Sequence, residues 1–503
     1  MKENCGIAAV YLKKDLSFYS KGGAVYYLYK MLLQMQNRGQ LSTGITTYNP
    51  KRLQILGTYK KAGLVNEVFK INNKDQNLNI FERYGAKVGI GHVRYSTSGL
   101  EDVSYAQPFE RYHGRLWKWF SFCFNGNLAN YTSLKEKLEN LDYHLVHEGD
   151  TEIIMHNLAY QFRGDKKPDL AKVFSNISKE FDGAYNIAFL NACGDLVIAR
   201  DPLGFKPLCY GENEHVFAAA SESSALVNIG IEEDNIKDVL PGEMILIKDD
   251  SISIRRFAES KRKAHCMFEY VYFSNPHSNI EKRPVYLVRW NLGKELAKLE
   301  KEKIDDKCIA VPVPDTARPA AQAFAQELGI PVNEGLIMNR YVGRTFIEQK
   351  GRGIEEKFTA LREVLEGKKI FLIEDSIVRG VTSRKIVEYH IKERGRAKEV
   401  HFRVSCPPIR YPCFYGIDMP TLEELIAPKY VNNINVENLE RQIAKEIHVE
   451  TLRYQTIDGL IRSIGLPKKD LCLACLNGKY PTPCGYKMFE KAKENFSRKK
   501  SKS

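Results

Sequence analysis

The sequence predicts two domains in series: a layered antiparallel α+β domain over about the first 258 residues, then an α/β domain with a parallel, doubly wound sheet. Two observations support this. In the first part, short segments rich in β-branched and aromatic residues follow one another without long intervening helices, which is typical of antiparallel sheets. Further along, short apolar runs alternate with helical segments of about ten or more residues, which indicates a parallel sheet.

Composition excludes several classes of protein. The chain has 503 residues, 43% hydrophobic and 27% charged, as in ordinary globular proteins with two or three domains. No apolar run reaches the ~18 residues of a membrane helix, and CGIAAVYL is short for a signal peptide, so we expect a cytoplasmic protein without membrane contact. The net charge of +13 is spread along the chain except for the basic tail NFSRKKSKS, which favours a phosphate-rich substrate over nucleic acid.

Individual elements follow from periodicity and length. In the first domain, GIAAVYL, KVGIGHVRYST, YNIAFLNA and DLVIARD are predicted strands, and AVYYLYKMLLQMQ and TEIIMHNLAYQF are predicted helices. The charged, linker-like segment AESKRKAH follows. Beyond it, CIAVPVP, KKIFLI and EVHFRVS are predicted strands, and the predicted helices are VYLVRWNLGKELAKLEKE, ARPAAQAFAQELG, FTALREVLEG and SRKIVEYHIKERG. We place the domains at 5–258 and 259–455, followed by a cysteine-containing segment at 456–503.

Residues 370–383, IFLIEDSIVRGVTS, carry the clearest chemical signal. A short apolar strand ends in Glu374 and Asp375, and a turn containing Gly380 then opens a helix. In an open α/β sheet, ligands bind beyond the carboxyl ends of strands, and a helix N-terminus there attracts phosphate. Two acids for sugar hydroxyls and a turn for phosphate predict a ribose-5-phosphate site; the alternative is a buried strand ending in a solvated acidic turn.

Cys5 is a candidate nucleophile because it lies close to the start of the chain. A cysteine with a free α-amine carries its own base, since an α-amino group has a reference pKa of about 7.7–8.0. This role requires removal of residues 1–4 as a propeptide. The alternative is a small apolar residue buried in a first strand.

Nine segments resemble, in order, the class II glutamine amidotransferases: CGI, RGQLSTGI, GHVRYSTSG, FNGNLANY, GDTE, DGAY, ARDPLGFKPL, SESSAL and PGEM. Residues 370–383 resemble the phosphoribosyltransferase signature, and SIVRG narrows the resemblance to the amidophosphoribosyltransferase family. CMFEYVYFSNP, VPVPDTARPAA, GLIMNRYVGRTFI and CPPIRYPCFYGID extend it. The resemblance implies an N-terminal-nucleophile domain with αββα layers joined to a phosphoribosyltransferase domain. It also implies a reaction of glutamine, 5-phosphoribosyl-1-pyrophosphate (PRPP) and water that gives 5-phosphoribosylamine, glutamate and pyrophosphate, at the start of purine synthesis.

In the first domain the resemblance implies a complete glutaminase site. Cys5 would attack the glutamine amide, Arg94 would hold the substrate carboxylate, and Asp150 would hold its ammonium group. The side chain of Asn125 and the backbone N–H of Gly126 would form the oxyanion hole, where each donor is worth roughly 3–4 kcal/mol. The chain departs from the usual family pattern outside these residues, at Asn37, Leu41, Phe205 and Lys206.

In the second domain the resemblance implies a PRPP site with Mg²⁺. The metal site would consist of Thr316, Glu374 and Asp375, whose oxygen atoms suit magnesium. Glu374 replaces the usual aspartate and Val381 a threonine. Arg344 lies in a segment that the family uses as a mobile loop over PRPP; the alternative is a solvated arginine. The full set of implied PRPP residues is Arg344, Glu374, Asp375, Ser376, Arg379, Gly380, Val381, Thr382 and Ser383.

The eleven cysteines suggest metal binding or catalysis rather than disulfides in a cytosolic chain. The CxxC pair formed by Cys472 and Cys475 fits zinc, iron–sulfur or redox chemistry. The resemblance implies a 4Fe–4S cluster, with zinc in the same site as the alternative, on Cys266, Cys413, Cys472 and Cys475. Cys406 is expected to be a bystander, Cys484 belongs to no motif, and buried packing is expected for Cys123, Cys193, Cys209 and Cys308.

Two other functions are weighed against this one. An enzyme with the same glutaminase half, such as asparagine synthetase or glucosamine-6-phosphate synthase, would need an SGGxDS loop or sugar-isomerase repeats, and neither is present. A non-catalytic regulatory relative that binds PRPP or nucleotides would be expected to lack Cys5, Arg94 or Asp375, all of which are retained. The resemblance further implies feedback inhibition by purine nucleotides and a homotetramer.

Overall fold

The structure is a computed structural model that describes residues 5–19, 22–95, 103–147, 149–339, 353–419, 421–430 and 435–500. The predicted propeptide, residues 1–4, and Arg344 lie outside these ranges. Within them, no helix is both long and apolar enough to cross a membrane.

The first domain consists of short strands and helices. Strands β1–β13 are Gly6–Leu12, Ser42–Tyr48, Leu56–Ala62, Val88–Arg94, Phe109–Arg111, Phe120–Leu128, Gly183–Asn191, Leu196–Arg200, Cys209–Glu212, Val216–Ala220, Ile236–Asp238, Glu243–Lys248 and Ser251–Arg256. Helices α1–α7 are Ala24–Gln34, Val65–Val68, Lys74–Arg83, Tyr131–Glu139, Asp150–Gln161, Leu170–Glu180 and Ser223–Val227.

These strands form two antiparallel sheets that face each other. In the described part of the chain one sheet has the order β11-β9-β10-β1-β4-β2-β3 and the other β13-β12-β8-β7-β6-β5. Strand β1 shows how the layers arise, since successive side chains point to opposite faces. Ile7 and Ala9 enter the core between the sheets, whereas Ala8 and Val10 pack against α1. Helices α5 and α6 cover the outer face of the second sheet. The predicted αββα layering is therefore confirmed.

The second domain and the C-terminal segment follow. Strands β14–β23 are His265–Cys266, Asn279–Ile280, Arg283–Pro284, Cys308–Pro312, Leu336–Met338, Phe358–Ala360, Lys369–Glu374, Glu399–Val404, Thr451–Tyr454 and Leu471–Cys472. Helices α8–α17 are Val285–Ala297, Arg318–Leu328, Gly353–Lys357, Arg362–Leu365, Val381–Lys385, Ile426–Tyr430, Val436–Glu446, Ile457–Ile464, Ala474–Asn477 and Pro483–Lys500. Two π-helical segments, Glu269–Phe273 and Ile386–Arg394, complete the set.

The central sheet of this domain is parallel, as predicted. Its strand order is β17-β20-β21-β22, and each neighbouring pair runs in the same direction. The sheet is buried on both faces: Ile370 and Leu372 of β20 enter one apolar core, and Phe371 and Ile373 enter the other. Such two-sided burial explains why the strand reads as a continuous apolar run.

One predicted helix is wrong. FTALREVLEG is not a continuous helix: its first three residues form β19, which pairs with β18, and only Arg362–Leu365 is helical. Phe358 is 4% exposed and lies in the domain core. Strand pairing and burial of this ring thus override the helix propensity of the following residues.

The crossing of α8 and α9 depends on Gly293. A Cβ at this position would lie 2.1 Å from the carbonyl oxygen of Ala320, which is backbone and cannot swing away. We therefore expect Gly293→Ala to lower the free energy of unfolding by about 1–3 kcal/mol, although alanine normally favours a helix. Gly114→Ala is the control, because a Cβ there meets no atom within 4 Å. Urea denaturation checks both variants, and equal stabilities would contradict the close crossing.

Candidate functional sites

Cys5 lies at the beginning of β1 and is fully buried. Gly6 is opposite Val93 in the antiparallel pairing of β1 with β4, so the residue before Gly6 and the residue after Val93 lie at the same end of the sheet. These residues are Cys5 and Arg94. Arg94 is 2% exposed, and its guanidinium lies 5.2 Å from the ring centre of Tyr105. Strand pairing thus brings the predicted nucleophile and the predicted carboxylate-binding arginine to one edge.

Asn125 and Gly126 lie in β6. The buried Asn125 side-chain amide donates to Ser221 Oγ over 3.3 Å, and the same oxygen accepts the backbone N–H of Ile7 at 3.0 Å. Ser221 therefore connects the predicted oxyanion-hole strand to the strand that begins at the nucleophile. At Gly126 a Cβ would lie 1.9 Å from the carbonyl oxygen of Ala184, so only glycine fits. Sequence reasoning gave Ser221 no role, although it begins the motif SESSAL.

Asp150 is the first residue of α5. Its Oδ2 accepts the backbone N–H of Leu128, at the end of β6, over 3.1 Å. The predicted ammonium-binding acid is therefore tied to the same strand that carries Asn125 and Gly126. This bond fixes the helix terminus relative to the oxyanion-hole residues.

The second site lies at the carboxyl ends of β17 and β20. These strands are neighbours, with Pro312 level with Ile373, so the loops that follow them meet. Thr316 Oγ1 donates to Asp375 Oδ2 and Ser376 Oγ donates to Asp375 Oδ1, both over 2.6 Å. Burial raises the pKa of both Glu374 and Asp375, and the charge of Asp375 raises the pKa of Glu374 further. The predicted magnesium set is thus gathered where two buried carboxyls repel each other.

The turn after these acids depends on Gly380. This glycine has φ 81°, a backbone conformation that other residues rarely adopt. A Cβ would also lie 2.4 Å from Ile426 Cδ1, so a larger residue would clash. Val381 and Thr382 are exposed at the start of α12, whereas Ser383 is buried. Arg379 lies 3.5 Å from Glu424. The helix continues into the π-helical segment, and the N–H groups of its first turn have no partner within the helix.

Arg289 is a functional candidate that sequence reasoning missed. It is 2% exposed, and its guanidinium donates to the carbonyl oxygens of Tyr270, Tyr272 and Ser274. Burial lowers the pKa of Arg289 to about 10, and the negative charge of Asp375 opposes that shift. Arg289 thus connects the acid site to the π-helical segment at the start of the second domain. It lies in a long predicted helix without any motif, so the sequence held no signal for it.

A buried group of charges joins the two domains. Arg38 Nε lies 2.6 Å from Glu222, and its Nη2 lies 2.7 Å from Glu269; Lys206 Nζ lies 3.2 Å from the other oxygen of Glu269. All four side chains are at most 1% exposed. Burial alone would raise the pKa of Glu269, but Arg38 and Lys206 outweigh it and lower the pKa to about 2. We call these four residues the interdomain charge network.

The four predicted cluster cysteines lie in one region, where Cys413 is buried and the other three are half-buried. Strands β14 and β23 pair in parallel and place Cys266 level with Cys472. The carbonyl oxygen of Cys475 accepts the backbone N–H groups of residues 410 and 411, which precede Cys413. Burial raises the pKa of Cys266, Cys472 and Cys475, and neighbouring thiols of the same set raise it further.

The other cysteines differ from one another in burial. No disulfide joins any of the eleven, all of which lie in the described ranges. Cys406 is fully buried and also raises the pKa of Cys475, so this bystander lies close to the set. Among the described residues, no three His, Cys, Asp or Glu side chains form a group that could hold a metal ion. Of the four cysteines expected to pack in a core, Cys123, Cys209 and Cys308 are buried, but the expectation is wrong for Cys193, which is half-buried. Cys484, for which no role was predicted, is also half-buried.

The chain is similar to a known domain family over part of its length and to known enzymes over nearly all of it. Residues 74–255 match the model of a glutamine amidotransferase domain. The amidophosphoribosyltransferase of Methanothermobacter thermautotrophicus is 39% identical over 490 residues, which cover 96% of this chain and 95% of that protein. The Bacillus subtilis protein of the same name is 36% identical over 493 residues, again covering 96% of this chain.

The chain belongs to the amidophosphoribosyltransferase family.

Solved structures of this family also superpose on the chain. The glutamine PRPP amidotransferase from B. subtilis, complexed with ADP and GMP, aligns with a TM-score of 0.80 at 35% identity and covers 95% of this chain and 98% of its own. A second structure, described as the allosteric regulatory enzyme of purine biosynthesis, gives a TM-score of 0.81 at 35% identity. The family membership and the two-domain fold predicted from the sequence are both confirmed.

Three of the first domain's four departures from the family pattern, Asn37, Phe205 and Lys206, lie where the two domains meet. Asn37 donates from its amide to Glu222 over 2.8 Å and to the carbonyl oxygen of Phe273 over 3.0 Å. Phe205 stacks on Tyr415 with ring centres 4.2 Å apart, and Lys206 belongs to the interdomain charge network. Leu41 instead donates its backbone N–H to the carbonyl oxygen of Arg94.

The interdomain charge network can be tested through Glu269. We expect Glu269→Gln to lower the free energy of unfolding at pH 7 by about 3–5 kcal/mol, because it leaves buried cations without their partner. The pKa of Glu269 falls from 4.5 to about 2 on folding, so its contribution is present above pH 4.5 and is lost as the pH falls toward 2. The deficit of the variant should therefore shrink at low pH.

Urea denaturation at pH 7 and at pH 3 measures this dependence. Glu490→Gln is the control, because that carboxylate is 43% exposed and its only recorded ion pair in the described chain is with Lys493 at 3.5 Å. A deficit for Glu269→Gln that stays constant with pH would contradict the assignment.

Proposed function

We propose that this chain is a glutamine-dependent amidophosphoribosyltransferase that converts glutamine, PRPP and water to 5-phosphoribosylamine, glutamate and pyrophosphate. The observation that supports the proposal is that candidate residues for both half-reactions are gathered in one chain, at two separate places. Cys5, Arg94, Asn125 and Asp150 lie on paired elements of the first domain, and Thr316 contacts Asp375 at the strand ends of the second. The interdomain charge network holds the two domains together.

In the first half-reaction, Cys5 Sγ attacks the side-chain amide carbon of glutamine. Once residues 1–4 are removed, the α-amine of Cys5 takes the thiol proton and delivers it to the departing nitrogen, which leaves as ammonia. Arg94 pairs with the substrate carboxylate and Asp150 with its ammonium group. Asn125 and the N–H of Gly126 stabilise the oxyanion, and water then hydrolyses the thioester to glutamate.

In the second half-reaction, ammonia attacks C1 of PRPP, the bond from C1 to the pyrophosphate oxygen breaks, and pyrophosphate leaves. No nucleophilic side chain is needed, because positioning accounts for much of the rate. Glu374 and Asp375 accept hydrogen bonds from the ribose hydroxyls. The backbone of residues 376–383 holds the 5-phosphate beside the start of α12, and Arg344, outside the described residues, would cover the substrate.

Magnesium fits the oxygen donors that the second site offers. Thr316 supplies a hydroxyl, and Glu374 and Asp375 supply carboxyls whose pKa values are both raised by burial; the charge of Asp375 repels a charge on Glu374 and raises its pKa further. A divalent cation would offset this repulsion. When bound, it would neutralise charge on the pyrophosphate and so assist its departure.

The thiol donor set of the cysteine-containing region supports a 4Fe–4S cluster, although among the described residues no three of these side chains converge on a metal-holding group. Its four ligands would be Cys266, Cys413, Cys472 and Cys475, which are gathered from the linker, the second domain and the C-terminal segment. A cluster would tie these three parts of the chain together.

Several further properties belong to the same proposal. Purine nucleotides would act as inhibitors, in line with the ADP and GMP bound to the B. subtilis enzyme. A homotetramer is the assembly that we propose. The location would be cytoplasmic, because a sugar pyrophosphate substrate does not cross membranes unaided.

The two-site scheme predicts a selective defect. Cys5→Ala should lower glutamine-dependent formation of 5-phosphoribosylamine by on the order of 10³-fold or more, while ammonia-dependent formation is retained, because only the first half-reaction needs the thiol. Cys123→Ala, which removes a thiol from the core between the two sheets of the same domain, should keep both activities. Equal loss of both activities in a folded Cys5→Ala protein would contradict the scheme.

The proposed 4Fe–4S cluster predicts how much iron the protein contains. Protein purified without oxygen should be brown and contain about four irons per chain, as elemental analysis would show. Cys472→Ser should lose most of the iron, whereas Cys484→Ser, also in the C-terminal segment, should keep it. Colourless protein that contains zinc would decide for the alternative metal.

A further inference from the structure

A concave site lies apart from both proposed catalytic sites. It has a volume of about 480 Å³ and is formed by the end of the first domain, the linker to the second and the start of the C-terminal segment. We call it the basic hollow and define it by its charged lining: Arg256, Lys261, Arg262, Lys263, Lys469 and Asp470. None of the residues assigned above to glutamine, PRPP or metal binding lines it.

The charge of the basic hollow is strongly one-sided. Five cations and one acid give a net charge of +4 from the lining (five minus one). In the part of the chain that the structure describes, no ion pair is recorded for Lys261, Arg262, Lys263 or Lys469. Arg256 lies 3.7 Å from Glu243. A hollow lined mainly by one sign of charge concentrates counter-ions.

A buried acid near Lys263, Glu281, is already paired with another cation. Glu281 lies close enough to Lys263 for the lysine to lower its pKa, but the carboxylate is 2.7 Å from Arg200, whose charge has the larger effect. The charge of Arg262 likewise reaches Cys472, where it opposes the rise in the thiol pKa caused by burial. The excess positive charge therefore remains available to a ligand.

The walls of the hollow are fixed although its side chains are exposed. The backbone N–H groups of Phe257 and Ala258 both donate to the carbonyl oxygen of Gly242, and that of Ala264 donates to Leu203 over 2.8 Å. On the opposite wall, Leu471 directly follows Asp470 and pairs with His265 in the parallel β14–β23 ladder. Fixed flanks lower the ordering cost of binding, which then falls on the short linker and on the lysine and arginine side chains.

We propose that the basic hollow binds a polyphosphate, a compound with two or more linked phosphate groups, either inorganic or carried on a nucleoside. Lysine and arginine side chains from three segments converge there, and a linear polyphosphate supplies several negative charges within a few ångströms. The volume lies within the range of small-molecule sites, about 300–1,000 Å³. Leu240 and Pro241 add an apolar surface for an organic part of the ligand.

Binding would join three parts of the chain. The ligand would connect the first domain at Arg256, the linker at Lys261 to Lys263 and the C-terminal segment at Lys469. The β14–β23 pair next to the hollow carries two of the proposed cluster ligands, Cys266 and Cys472. A bound polyphosphate therefore stabilises the packing of the C-terminal segment against the first domain.

The test is calorimetric titration of the full-length protein with inorganic tripolyphosphate at about 150 mM salt. The variant K261Q/R262Q/K469Q removes one cation from the C-terminal segment and two from the linker. Its matched control is K61Q/K70Q/R83Q, which removes three cations from a second hollow of about 440 Å³ that also contains Asp75. Both triple variants change the net charge of the chain equally, so long-range electrostatics are matched.

We expect wild type and control to share a saturable binding component whose Kd rises at least about tenfold in the K261Q/R262Q/K469Q variant. Tripolyphosphate should also raise the melting temperature of wild type and control more than that of this variant. If the triple variant does not fold, K261Q alone should show the same change to a smaller degree. Absence of saturable binding to wild type, or equal affinity in all three proteins, would overturn the proposal.

A second titration with ATP identifies the source of the phosphates. Tighter binding of ATP than of tripolyphosphate, reduced in the same variant, assigns the site to nucleoside polyphosphates that use Leu240 and Pro241. Equal affinities assign it to the phosphate chain alone. Because both titrations measure binding and not turnover, they hold whether or not the proposed transferase reaction is correct.

Discussion

The burial of Glu269 between Arg38 and Lys206 is the interaction on which the relation between the two domains depends. A carboxylate this deeply buried remains charged only because two cations lie within 3.2 Å of it. Arg38 and Lys206 belong to the first domain and Glu269 to the second, so separating the domains would break both ion pairs of Glu269. From Glu269 the π-helical segment leads to the carbonyl groups held by Arg289, which in turn faces Asp375. The π-helical segment and Arg289 thus extend from the interdomain charge network toward the acid site of the second domain.

Each proposed site is assembled at the end of strands, but by a different kind of pairing. Antiparallel pairing of β1 with β4 brings Cys5 and Arg94 together from positions far apart in the sequence. Parallel pairing of β17 with β20 places Thr316 against Asp375. In both cases rigid sheet geometry sets the position of the side chains, which suits chemistry that relies on orientation.

The C-terminal segment pairs with the linker that precedes the second domain, although the whole second domain lies between them in the sequence. The β14–β23 pair joins residues 265–266 to residues 471–472, and the N–H of Cys484 donates to Asp182 of the first domain. Closing a loop of about 200 residues carries an entropic cost, although this cost grows only slowly with loop length. The two-residue ladder is short, so burial of the surrounding aromatic side chains, with Tyr480 stacked near Phe414 and Phe489, provides most of the compensation.

The sequence by itself determined the family, the layered and parallel sheets and their order along the chain, and it supplied the candidate catalytic residues, because these depend on local periodicity and on motifs that are contiguous in the chain. It failed for FTALREVLEG, where pairing with β18 and burial of Phe358 override local propensity. It also held no signal for Ser221 or Arg289, whose roles arise from partners on other elements. Only the tertiary structure placed the departures Asn37, Phe205 and Lys206 at the domain interface, since burial and charge pairing are properties of residues that meet in space.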